Sequence, residues 1–81
     1  MKFFQKYPPP TCKDVKKALK KMGFTEGEQK GSHQHWIKTD KGMLYKVTVD
    51  CPKAPFGDIL VNSMAKQAGV SKSYFLSKCF E

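Results

Sequence analysis

The stretch from Asp40 to Val49 constrains this chain more than any other. Asp40-Lys41-Gly42 is a short hairpin loop, with glycine where positive φ is needed. Met43, Tyr45, Val47 and Val49 then alternate with Leu44, Lys46 and Thr48. A period of two puts the first set on one face of a strand and the second on the other. The first set is assigned to the core. Before the loop, His33 to Thr39 reads as the preceding strand, entered through a turn at Gly31-Ser32. Phe24 to Lys30 reads as a first strand, in which Gly27 marks a bulge or a weak point.

Helices flank this meander. Thr11 is placed to cap a first helix over Thr11–Met22, with Asp14 three residues on in a capping-box position. Cys12, Val15, Ala18, Leu19 and Met22 recur at helical spacing, and Gly23 supplies a left-handed stop. The opposite side carries Lys13, Lys16, Lys17, Lys20 and Lys21. Pro52 and Pro55 break the segment after the third strand. Asp58 is the expected N-cap of a second helix, striped with Leu60, Val61, Met64, Ala65 and Ala68 and ended by Gly69. Ser71 caps a short extra C-terminal helix through Cys79. Residues 1–10 read as an arm, stiffened by Pro8-Pro9-Pro10. Phe3, Phe4 and Tyr7 would anchor it on the body or on a partner. Residues 11–81 form one domain.

The order helix, three antiparallel strands, helix is an α+β sandwich with helices on one face of the sheet. That topology is shared with double-stranded RNA-binding domains, which read shape and phosphate more than sequence. A chain of 81 residues buries only about 60–65% of its unfolded surface, enough for one core.

Charge narrows the partner. Fifteen basic residues against seven acidic ones give a net charge of +8. A polyanion is the expected ligand, nucleic acid before membrane. All the basic residues are lysine. Lysine meets phosphate as a point charge and lacks the fork that reads guanine edges. Binding should therefore be driven by the backbone and weaken with salt. Cys12, Cys51 and Cys79 are odd in number and scattered, without a C-x-x-C pair, and no signal peptide is legible. Those features suit a reduced, cytoplasmic setting. No stretch approaches the ~18 apolar residues of a membrane span.

Gly31-Ser32-His33-Gln34-His35-Trp36 holds both histidines and the tryptophan. Imidazole is the side chain suited to proton transfer near neutral pH. Three readings compete for these residues. His33 and His35 can be ordinary strand residues. They share a strand face and, with Cys51 or Cys79, could hold zinc, although the spacing matches no standard site. His33 can also be a general acid or base. Trp36 reads first as an anchor of the sheet core.

A family is visible in the residues. A lysine-bearing helix ends in Met22-Gly23-Phe24, and a strand reaches Lys30-Gly31-Ser32-His33. Trp36 follows, and a hairpin leads to Val47-Thr48-Val49. Lys66-Gln67-Ala68-Gly69-Val70-Ser71 closes the pattern. This combination, over Thr11 to Leu76, resembles the HicA family of messenger-RNA interferase toxins, the partners of HicB antitoxins. The resemblance implies a double-stranded RNA-binding-like fold, cleavage of mRNA without metal or other cofactor, and neutralisation by an antitoxin. It maps the family's catalytic histidine onto His33. Many members carry a proline and a second histidine after the third strand; here that region reads Asp50-Cys51-Pro52-Lys53-Ala54.

The expected site is therefore His33 as proton carrier, with Lys30, Lys38 and Lys46 near it in strand terms to meet phosphate. Backbone N–H groups around Gly31 and Ser32 would hold a phosphate oxygen. The seven acids, Asp14, Glu26, Glu28, Asp40, Asp50, Asp58 and Glu81, form no obvious magnesium site. The expected partners are mRNA and an acidic HicB-like antitoxin, the free toxin being a monomer away from membranes. The alternative from a different class is a non-catalytic RNA-binding module on the same fold.

Overall fold

A computed structural model describes residues 7–81. The elements run α1 (Cys12–Lys21), β1 (Thr25–Lys30), β2 (His33–Asp40), β3 (Met43–Asp50), a 3-10 turn (Cys51–Lys53), α2 (Asp58–Ala68) and α3 (Lys72–Cys79). The sheet is antiparallel in the order β1-β2-β3. This is the expected α+β sandwich of double-stranded RNA-binding-like topology, with a third, C-terminal helix.

Local chemistry sets the element ends. Thr11 Oγ1 accepts from Asp14 N–H at 3.1 Å, and Thr11 N–H donates to Asp14 Oδ2 at 3.0 Å. That closes the capping box and satisfies two otherwise free donors. At the far end Gly23 takes φ +93°. Phe24 N–H reaches Leu19 O and Gly23 N–H reaches Lys20 O, the paired bonds of a Schellman stop. Asp58, expected as an N-cap, is instead the first residue of α2, and Gly57 takes the cap without a side-chain bond. Asp58 remains useful there. A carboxylate in the first turn opposes the helix dipole, and it pairs with Lys72 Nζ at 3.1 Å. Ser71 caps α3 as expected, accepting from Tyr74 N–H.

The hairpin fixes the register. Lys41 and Gly42 both have positive φ, as a tight two-residue turn requires. Outward from that turn, Trp36 faces Val47 and His33 faces Asp50. Trp36, Val47 and Val49 are fully buried beneath the helices, with Val15, Ala18, Leu19 and Phe75. Met43, assigned to the core with Tyr45, Val47 and Val49, is exposed, because it lies at the hairpin tip. Gly27 sits in the irregularity between Glu26 and Gln29. A Cβ there would meet His35 O and Ile37 Cδ1 at 3.0 Å, so the bulge lets two backbones approach.

Two further features differ from or extend the sequence reading. Cys12 and Cys51, read as separate thiols, are joined as a disulfide with Cα atoms 5.2 Å apart. They meet because the 3-10 turn after β3 folds back against the start of α1, a contact 39 residues distant along the chain. In a reducing compartment this pair would be opened. Cys79 is free and buried in the core, and burial pushes its thiol up to about 11. Tyr7 stacks on Phe80 with ring centroids 5.2 Å apart, and Pro10 O accepts from Phe56 N–H. The described end of the arm thus packs on its own domain; Phe3 and Phe4 lie outside the described residues. Among the described residues no helix is long and apolar enough to cross a membrane.

Candidate active site

β2 begins at His33 because Gly31 and Ser32 reverse the chain. Gly31 adopts φ +59°, and its carbonyl is held by Gln29 Nε2 at 3.0 Å. The turn delivers His33 to the strand end opposite Asp50, the last residue of β3. Antiparallel partners project from the same sheet face. His33 Nε2 lies 3.1 Å from Asp50 Oδ2. The imidazole is 56% exposed and the carboxylate only 18%, so an accessible ring stands on a sheltered support.

The Asp50 carboxyl is held below the usual carboxylate range. The neighbouring Ser32 side chain is the main cause, aided by His33 and Lys53 and opposed by burial. Asp50 is therefore ionised at neutral pH and can only accept hydrogen bonds. His33 Nε2 must carry the proton between them. Its Nδ1 is then the nitrogen left to take or return a proton. Oδ1 of Asp50 is buried and finds no hydrogen-bond partner among the described residues; Ser32 favours the ionised carboxylate without closing a bond to that oxygen.

The remaining expected residues divide by strand parity. Lys30 is the cross-strand partner of His33, and Lys46 pairs with Ile37. Both therefore share the sheet face of His33. Lys38 has the opposite parity. Its Nζ sits 5.6 Å from the centre of the Phe24 ring, on the helix side of the sheet, so the structure does not bring it to His33. His35 shares the His33 face but is half-buried and bonded through Nδ1 to Thr48 Oγ1 at 3.0 Å. Trp36 is core, its Nε1–H donating to Gln34 Oε1. Cys79 is buried with the helices and Cys51 is bonded to Cys12. Among the described residues no group of three His, Cys, Asp or Glu side chains is placed to hold a metal.

Asp50 and Lys53 were missed by sequence reasoning, and one signal could have found the first. Counting outward from Lys41-Gly42 pairs His33 with Asp50 directly. Lys53 carried no comparable signal, since it reaches the site only through the 3-10 turn.

The resulting molecule is a small basic α+β domain of RNA-binding-like topology, with a histidine–carboxylate pair at one end of its sheet. The family model for the HicA toxin of bacterial toxin–antitoxin systems matches residues 12–70. The chain belongs to that family and is a toxin of the kind that is paired with an antitoxin. Comparison with curated proteins and with solved structures gave no match.

One prediction arises from the pair. Asp50→Asn should lower any His33-dependent activity on the order of 10²-fold, because the amide no longer enforces one ring tautomer. The sign of the pH effect follows from the depressed carboxyl. The pair is intact above the ordinary carboxylate range and is lost as pH falls through the lowered value. The variant should thus lose activity at neutral pH, where the native pair is complete. A pH–rate profile for Asp50→Asn that overlays the native one at neutral pH would remove Asp50 from the site.

Proposed function

We propose that this toxin is a metal-independent endoribonuclease that cleaves mRNA, with His33 as general acid and base. The observation that carries the reading is the His33 Nε2–Asp50 Oδ2 contact of 3.1 Å, which frees Nδ1 beside a glycine turn on a lysine-bearing face. In the reaction His33 Nδ1 takes the proton of a ribose 2′-OH, and that oxygen attacks the adjacent phosphorus. The bond to the 5′-oxygen breaks, and the protonated His33 imidazole returns its proton to this oxygen. The products are a 2′,3′-cyclic phosphate and a free 5′-hydroxyl. Asp50 offsets the positive charge that His33 gains in the transition state. Lys30 and Lys53, with the N–H groups at Gly31 and Ser32, are the groups nearest to the phosphorane oxygens. Such preorganised charge is often the larger catalytic contribution. Lys46 lies further along the same face and meets flanking phosphates. One proton carrier serving both steps makes a slow nuclease, which suffices for growth arrest.

The antitoxin is a HicB-like protein whose acidic surface covers His33 and these lysines, since opposite charge speeds association and like charge is penalised. The free toxin acts as a monomer in the cytoplasm. The test is cleavage of single-stranded RNA in EDTA, with and without the antitoxin. Cleavage should survive the chelator, stop at saturating antitoxin, and be blocked more slowly as salt rises. Activity lost in EDTA and restored by Mg²⁺ would contradict the metal-free chemistry. A saturated complex that still cuts would contradict the shared face.

A further inference from the structure

Beside the His33–Asp50 pair the surface opens into a cavity of about 150 Å³ between β3 and α2. Its floor is apolar: Phe56, Leu60 and Met64, of which Phe56 and Met64 belong to the core. Ser63 and Gln67 of α2 also line it, as do His33, Asp50 and Lys53. We infer that this cavity is a pyrimidine subsite, taking the base of the nucleotide whose 2′-OH attacks. The inference rests on the ribonuclease reading and adds a base preference to it.

Three observations converge. The first is position. In a ribonucleotide the carbon bearing the 2′-OH is bonded to the carbon bearing the base. A base in this cavity brings its own 2′-OH, and no other, to the imidazole at the mouth. Lys53, which also lines the cavity, is then available to the phosphate that follows. The second is size. A cavity of about 150 Å³ with an apolar floor holds one benzene-sized ring. A single pyrimidine ring seats in it whole, whereas a fused purine would project from its open side. Recognition of single-stranded RNA commonly works this way, by burying unstacked bases against side chains and reading their edges.

The third is the polar group. Gln67 Oε1 accepts the backbone N–H of Thr48 at 3.1 Å. Thr48 lies on β3, an edge strand of the sheet, so the bond both caps that edge and locks the amide. With the oxygen committed to a donor, the Gln67 amide presents N–H to the cavity. It therefore seeks an acceptor on the ligand. Both pyrimidines carry a ring carbonyl beside the glycosidic nitrogen, and either can supply that acceptor.

The test uses short oligodeoxynucleotides carrying one ribonucleotide, so that a single 2′-OH can attack. The full chain is assayed against strands with ribouridine, ribocytidine, riboadenosine, riboguanosine or an abasic ribose at that place. Uridine and cytidine should be cut at least about 10-fold faster than either purine or the abasic strand, in line with the energy of burying one base. Gln67→Glu keeps an acceptor for Thr48 and removes the donor. It should shrink that preference while retaining cleavage. Equal rates on all five strands, or faster cutting at purines, would overturn the subsite and leave the nuclease standing. If no strand is cut, the nuclease reading fails, and binding decides the subsite. Uridine 3′-phosphate should then bind the chain at least about 10-fold tighter than adenosine 3′-phosphate and inorganic phosphate. No difference among the three would overturn it.

Discussion

Replacing His33 by alanine should lower RNA cleavage by about 10²–10⁴-fold, the usual worth of a positioned acid–base group. The fold should survive. His33 is the first residue of β2 and its ring is more than half exposed, and exposed substitutions of this kind usually change stability by less than about 0.5 kcal/mol. The lysines and the glycine turn stay in place, so RNA binding and antitoxin binding should persist. Toxicity on expression should fall with the cleavage rate. The measurement is a single-turnover cleavage rate for native and variant chains, alongside a thermal melt of each. A variant that folds and cuts as fast as the native chain would show that the proton carrier lies elsewhere.

Trp36→Ala should have the largest effect on stability, about 3–5 kcal/mol. The indole is fully buried at the centre of the sheet, against Val47 across the strand pair and the helices above. Its truncation leaves a cavity in a core cluster to which all three helices contribute, and it strands the Gln34 amide that Nε1 engages. Small domains have about 5–15 kcal/mol in total, so this one side chain is a large fraction. The melting temperature should fall by tens of degrees, roughly 4–8 °C for each kcal/mol at this size. Chemical denaturation gives the same quantity at constant temperature. A loss below about 1 kcal/mol would mean that the indole is not the core anchor.

These two residues, three positions apart, show what the sequence made legible. Alternation in Met43 to Val49 placed Val47 and Val49 in the core, and Trp36 was read as a core anchor; that it stands opposite Val47 follows from the register of the folded hairpin. Thr11 with Asp14, Gly23, Gly69 and Ser71 marked helix ends, because caps and left-handed stops depend on single residue types. The cap of α2 was shifted by one, since Asp58 suits the first turn as well as the cap. What stayed hidden was mostly the product of distant meetings. Cys12 and Cys51 join only because the 3-10 turn returns to α1. The cavity beside His33 needs α2 against the edge of β3, and no local pattern announces that contact. Lys38 looked close to His33 when counted along the strand, yet its parity sends it to the other face, over Phe24. Asp50 was within reach of register counting, but a carboxylate ending a strand reads first as a turn residue.

Attack by the 2′-OH of RNA, with His33 as its base, leaves a signature on the products. The most direct measurement is the chemistry of the cut ends, read by mass spectrometry after reaction in EDTA, for one RNA and for its copy with a single 2′-deoxy substitution at the cleavage position. A 2′,3′-cyclic phosphate is expected on one fragment and a 5′-hydroxyl on the other, with no cut at that position in the deoxy copy. Ends bearing 3′-hydroxyl and 5′-phosphate, or an equal cut in the deoxy copy, would contradict it; so would RNA that is bound and never cleaved.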